Sequence, residues 1–407
     1  MSKYNFRRKR MNTIDFKTKT LYMERKNPSI KNFWTVALDI GYSGVKGFSP
    51  NSVYCFPSYA KKSNGSRISI AETRDDEILY KDENGDVWTV GSCAQDMNSS
   101  DNTNDSVAEL YGRRRYNSPM FRVLIRVGIA LGMLKNEYGD PNGKIIRIQT
   151  GLPTAYINDA EDLKDVFCGV HDFSIKKGKS DKWTHIRIDF EKDMIKVMPQ
   201  PMGAFFSIST DKDGNRLPEA AAFSSSVMLI FDPGFGTFDV FNINNGSIVS
   251  SENGSYDNLG MKRVMEETVK GIKKKYNVEV TVPNMQKILA TGQVRKFEKD
   301  PNTNRRTNKF KPIGEILEAA SQKICAEALN QVDTDYNMLI DHDYLVVAGG
   351  TGDAWYDYIK DYYGGMDNLT IIPGNQNDTS LPFIFSNVRG YYMFMLGDLR
   401  HSASSEN

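Results

Sequence analysis

Cysteine and histidine are scarce in this chain, and the four of each that occur are scattered. Cys55, Cys93, Cys168 and Cys325 show no C-x-x-C spacing, so neither a zinc site nor a disulfide frame is expected. Such thiols suit a reducing cytoplasm. His171, His185, His342 and His401 form no pair at ligand spacing, which argues against a zinc enzyme. No apolar run reaches the roughly 20 residues needed to span a bilayer. The basic N-terminal stretch is not followed by the roughly 7–15 apolar residues of a secretory signal. A cytoplasmic protein with no membrane partner is therefore expected. A P-loop is also missing, because no G-x-x-x-x-G-K followed by Ser or Thr occurs. Gly139–Lys144 is one residue short between its glycines and reads as a turn.

What is present is ordinary in bulk and uneven in detail. A chain of 407 residues, 40% hydrophobic and 25% charged, has the composition of a soluble globular protein with two or three domains. Ten of its 52 Lys and Arg, but only two of its 51 Asp and Glu, fall within residues 1–33. A basic extension thus precedes a mildly acidic body. The run Arg7-Arg8-Lys9-Arg10 suits contact with an anionic surface. The extension lacks periodic apolar residues, so a solvated, flexible arm is expected.

Apolar patterning places strands at Trp34–Ile40, Val45–Phe48, Ile145–Gln149, Ile195–Met198, Val227–Phe231, Thr237–Ile243 and Tyr344–Ala348. A hairpin is expected over Glu77–Val90, turning on Asn84-Gly85. Helices are expected at Pro119–Leu134, Met261–Tyr276 and Glu315–Val332, where apolar residues recur at helical spacing. Met97–Asp105 and Lys296–Lys311 read as polar loops. Strands alternating with helices define the α/β class.

Three of these strands run into glycine-rich turns: Asp39-Ile40-Gly41-Tyr42-Ser43-Gly44, Asp232-Pro233-Gly234-Phe235-Gly236-Thr237 and Gly349-Gly350-Thr351-Gly352. The first two share an acidic residue at the strand end, a glycine two later and then an aromatic. They lie about half a chain apart, a trace of internal duplication. Glycines let successive backbone N–H groups converge on phosphate oxygens without a Cβ in the way. An aspartate beside them would repel a bare phosphate but becomes favourable once Mg²⁺ lies between carboxylate and phosphate. Lys46, in the strand after the first turn, is placed to neutralise a β- or γ-phosphate. Each feature alone is an ordinary turn or helix cap. Their conjunction, each behind a strand, points to a triphosphate held between two domains.

The three motifs resemble the phosphate-1, phosphate-2 and adenosine motifs of the actin, Hsp70 and sugar-kinase superfamily. They are most similar to those of the ParM-like actin-like proteins of plasmid segregation. Val36–Phe48, Leu229–Val240 and Leu345–Trp355 carry the likeness, together with Val197–Gly203, Val90-Gly91 and Ser386–Tyr391. Phe235 departs from the pattern, which often has an acidic or smaller residue there, and the N-terminal arm has no counterpart.

The resemblance implies a duplicated, ribonuclease H-like actin-like fold with nucleotide in the interdomain cleft. Its divisions would be a flexible extension (1–33), domain I (34–205), domain II (206–384) and a C-terminal segment returning to domain I (385–407). It also implies the ligand set. Asp39 and Asp232 would hold hydrated Mg²⁺, and Lys46 would meet the β-phosphate of ATP or GTP. Gly41, Tyr42, Ser43, Gly44, Gly234, Phe235, Gly236 and Thr237 would wrap the phosphates. Gly349, Gly350 and Thr351 would lie beside the nucleoside. Asp232 and Gln200 would be catalytic, Gln200 by orienting the attacking water. The implied function is an ATPase that polymerises into helical filaments. These would segregate plasmids through a DNA-binding adaptor on centromere-like DNA, with no direct sequence-specific DNA binding by the acidic body. The alternative is a sugar or acid kinase of the same superfamily, which would need an aspartate base for the acceptor hydroxyl.

Overall fold

Two six-stranded sheets repeat one plan in the computed structural model, which describes residues 12–63, 72–97, 113–248, 254–299 and 302–405. In the first sheet the order is Leu21–Glu24, Ser52–Pro57, Gly44–Ser49, Phe33–Ile40, Ile145–Leu152, Ile195–Pro199. In the second, Thr237–Asn244, Val227–Pro233, Tyr344–Val347 and Thr370–Pro373 follow one another, with Ser247–Ile248 and Gly254–Asp257 both paired to Thr237–Asn244. In both, the strand before the glycine turn lies mid-sheet. It pairs antiparallel with the strand after the turn and parallel with a later strand. The register matches too, with Asp39 opposite Lys46 in one hairpin and Asp232 opposite Asp239 in the other. The duplication read from two short motifs thus extends to sheet topology.

The mid-sheet strands are apolar on both faces because both faces are covered. Between the sheets lie the helix Gln200–Ser209 and the C-terminal helix Ser386–Ser405. Ala204 and Ile208 pack with Met228 and Ile230 of the second sheet. Tyr391, Tyr392 and Leu396 pack with Ala37 and Phe48 of the first. The two helices touch through glycine. A Cβ on Gly203 would come within 2.5 Å of the Asn387 carbonyl, and one on Gly390 would overlap the Gly203 carbonyl.

The helix expected at Pro119–Leu134 runs Pro119–Gly132, and it is buried nearly all round. Its outer side is covered by a five-stranded sheet containing Gly169–Lys177 and Thr184–Phe190, which the sequence pattern did not reveal. The hairpin on Asn84-Gly85 forms, with strands Ile78–Lys81 and Val87–Val90 and Gly85 at φ +85°. Met261–Tyr276 is helical as expected, and Glu315–Val332 lies within the helix Gly314–Asp335.

Two expectations need correction. Lys296–Lys311 is a two-stranded hairpin, Gln293–Lys299 against Arg306–Pro312, rather than a loop. Its strands are mostly charged and polar, with Val294, Phe297 and Phe310 too few to make an apolar periodicity. Residues 12–33 are not a solvated arm. Phe16 is buried in the second core, and Leu21–Glu24 adds an antiparallel strand beside Ser52–Cys55. One buried phenylalanine and a four-residue edge strand are too short for any periodicity to register. Arg7–Arg10 and residues 98–105 of the expected polar loop lie outside the described residues. Among the described residues, no helix is long and apolar enough to cross a membrane.

Candidate functional site

Both hairpin turns are closed in the same way. The N–H of Gly41 donates to the Gly44 carbonyl at 3.1 Å, and that of Gly234 to the Thr237 carbonyl at 2.8 Å. The two turns open into one cleft between the halves. Asp39, Gly41, Tyr42, Ser43, Lys46, Gln200, Asp232, Gly234, Phe235, Gly236, Thr237, Gly349, Gly350 and Thr351 all line it. Gly44 does not. Its role is local, since its carbonyl closes the turn.

The side chains form a short network. Lys46 Nζ lies 3.0 Å from Asp39 Oδ2, and Gln200 Nε2 donates to Asp39 Oδ1 at 3.1 Å. Gln200 opens its helix directly after the strand Ile195–Pro199, so strand and helix together fix its position. Asp232 Oδ2 accepts from Asn387 Nδ2 at 2.7 Å. Burial pushes the Asp232 carboxyl up to about 6, and the charges of Asp239 and Asp39 act in the same direction. Asp239 is raised by burial as well.

The third turn is keyed to the second. Thr351 Oγ1 donates to the Gly234 carbonyl at 2.8 Å. Gly349 has φ +74°, and a Cβ there would overlap Asp232 Oδ1. Only glycine meets both conditions. Phe235 packs against the second core, and its carbonyl accepts from the Lys262 N–H at 2.7 Å, at the start of the helix Met261–Tyr276.

Several cleft residues were not singled out from the sequence. Asn387 arrives from 155 positions along the chain. Arg115 is 6% exposed and sits 5.1 Å from the Tyr42 ring centroid. Asp239 shares a strand face with Thr237, whose hydroxyl donates to it, and pairs with Asp232 across the hairpin, so strand alternation could have flagged it. Asp353, in the first turn of the helix Gly350–Tyr363, is raised by burial.

Among the described residues, no three His, Cys, Asp or Glu side chains cluster as direct ligands. Asp39 and Asp232 nonetheless face one cleft, and each would gain from an intervening positive charge. Nearby, Asn387 Oδ1 and Tyr391 Oη are buried with no hydrogen-bond partner among the described residues. Such a set fits Mg²⁺, which keeps several waters and binds through one or two carboxylates plus phosphate.

Comparison with known proteins agrees with this geometry. Residues 37–203 match the N-terminal domain of actin-like proteins. The fold is actin-like. A 15-stranded ParM filament from Clostridium botulinum superposes with a TM-score of 0.66 at 23% identity, covering 89% of this chain and 99% of that one. A non-polymerisable quadruple mutant of the pCBH ParM gives 0.64 at 22%, covering 90% and 100%. Bacillus thuringiensis ParM with AMPPNP gives 0.60 at 15%, covering 91% and 100%. These likenesses establish the actin-like fold. No curated protein sequence matches the chain.

Proposed function

We propose that this actin-like chain is an Mg²⁺-dependent ATPase, with GTP as an alternative substrate. On this reading it polymerises into filaments and moves plasmid DNA through a DNA-binding adaptor. One observation carries the reading: two duplicated hairpins bring Asp39, Lys46 and Asp232 into one cleft beside Gly349–Thr351, where Gln200 reaches Asp39 from the start of its helix. The solved ParM structures support it, one a filament from Clostridium botulinum and others from Bacillus thuringiensis with AMPPNP and with ADP. They do not favour the alternative of a sugar or acid kinase. We further propose domain I at 34–205, domain II at 206–384 and a return segment at 385–407.

In this reading the turns Gly41–Gly44 and Gly234–Thr237 wrap the phosphates, with the Gly41 and Gly234 amides closing the turns and the amides inside each turn facing phosphate, and Lys46 offsets charge on the β-phosphate. Gly349, Gly350 and Thr351 bound the nucleoside. Asp39 and Asp232 would hold Mg²⁺ through its waters, and the bound ion supplies charge that offsets the developing negative charge on phosphate. Gln200, tethered by Asp39, orients the attacking water. An amide is too weak a base to deprotonate it, so positioning is its contribution.

The two halves meet through the Gln200–Ser209 and Ser386–Ser405 helices, which carry Gln200 and Asn387 at their first turns. Occupancy of the cleft would therefore set the angle between the halves, and assembly contacts would follow that angle. Light scattering and negative-stain microscopy test this. Filaments should appear above a critical concentration with Mg²⁺ and ATP or GTP, and should be missing without nucleotide. Phosphate transfer to a sugar or acid, with no particles formed at any concentration, would sink the proposal.

A further inference from the structure

The N-terminal segment takes part in the cleft rather than trailing from it. Phe16 is buried at 5% exposure in the second core, and Thr13 Oγ1 donates to the Leu289 carbonyl at 2.8 Å. The Thr18 hydroxyl lies 2.9 Å from Gln95 Oε1 of the first half and 3.1 Å from Gln286 Oε1 of the second. The Thr18 N–H also donates to Gln286 Oε1 at 3.0 Å. Three residues on, Leu21–Glu24 joins the first sheet as its edge strand. Arg25 then pairs with Asp378 at 2.9 Å. The segment thus crosses from one half to the other, and Asp15–Lys19 line the cleft between the two anchors.

Charge gives this crossing a chemical meaning. Without the segment, the cleft presents four carboxylates (Asp39, Asp232, Asp239, Asp353) against two cations, Lys46 and Arg115. That is a poor match for a triphosphate. The segment adds Lys17 and Lys19, so it brings half of the lining cations, together with one further carboxylate, Asp15. The Lys19 charge acts on Asp353, at the start of the helix that follows Gly349-Gly350.

We propose that residues 12–24 form a strap that is a wall of the nucleotide site, with Lys17 and Lys19 contacting bound nucleoside triphosphate and Thr18 tying the two halves together over it. The inference rests on the nucleotide reading above and adds a binding element outside the three glycine turns. A ligand held by the strap and both halves resists dissociation, because leaving requires the strap to lift. Binding in turn disfavours opening of the strap.

The test uses the full chain, Mg²⁺ and a fluorescent ATP analogue at fixed ionic strength. The K17A/K19A double variant should bind about tenfold more weakly than the parent, the loss expected for charge-assisted contacts. Its lysines are only partly buried, so folding is not at stake. Thr18→Val, which keeps the side-chain shape, should also weaken binding. In hydrogen exchange, amides of residues 12–24 should gain protection when nucleotide is added. Equal affinity in parent and K17A/K19A, or protection unaffected by nucleotide, overturns the strap. A parent chain that binds no Mg²⁺-nucleotide overturns the underlying functional reading instead.

Discussion

His171 shows how much one side chain depends on its neighbours. Arg126 Nε donates to His171 Nδ1 at 3.2 Å, and Nε2 lies 2.8 Å from the Phe167 carbonyl, so the ring is a neutral tautomer with one acceptor and one donor. Burial is the main reason its pKa falls from 6.5 to about 4, and the Arg126 and Arg122 charges lower it further. Glu83 opposes this weakly and stays ionised to about pH 2 beside Arg126. The unfolded chain takes up the histidine proton near pH 6.5, whereas the folded chain takes it up only near 4. This histidine's contribution to stability is therefore complete above pH 6.5 and is lost as pH falls toward 4, a loss of about 3 kcal/mol. His171→Gln keeps a donor and an acceptor and should remove this loss, so its urea midpoint should rise relative to the parent's as pH falls over that window. A second residue-scale prediction concerns Gly349. Gly349→Ala places a methyl group against Asp232 Oδ1 at φ +74°, so nucleotide affinity should fall at least about tenfold in equilibrium titration.

At the level of elements, the decisive contact is the glycine crossing between Gln200–Ser209 and Ser386–Ser405. Gly203 and Gly390 face backbone, which cannot rotate out of the way. Gly390→Ala should separate the helices and cost about 3 kcal/mol, seen as a melting temperature lower by several degrees. Gln200 and Asn387 ride on the same helices, so phosphate release should fall by about a hundredfold as well. A variant that melts lower but turns over normally would separate the crossing from the site. Element patterns also explain what the sequence concealed. Pro119–Gly132 carries an apolar stripe that marks it as a helix, yet nothing in the stripe announces a second sheet over its outer side. The strands Gly169–Lys177 and Thr184–Phe190 mix charged and apolar residues because one face is wet.

For the whole molecule, assembly is proposed to report the state of the cleft. Gln200→Ala should leave nucleotide affinity unchanged, slow phosphate release by about 10²-fold and lengthen filament lifetime after ATP is withdrawn. Phosphate release at the parental rate would reduce Gln200 to a structural tether of Asp39. Filament lifetime is read by the decay of scattering, and release by a coupled phosphate assay. Both belong to this scale because each depends on how the halves are held, not on one contact.

The two hairpins and the third glycine turn were legible in the sequence, because strand, acidic end and glycine are adjacent in the chain and local sterics dictate how they fold. Asp39, Lys46 and Asp232 could be singled out on that basis. That the turns share a cleft was an expectation from their conjunction; that Asn387 holds Asp232 and that residues 12–24 cross between the halves emerged from the folded chain alone. Those facts depend on contacts between residues far apart in the chain, which leave no spacing to read. One buried phenylalanine and a threonine hydroxyl are enough to dock a segment, and too little to make a pattern.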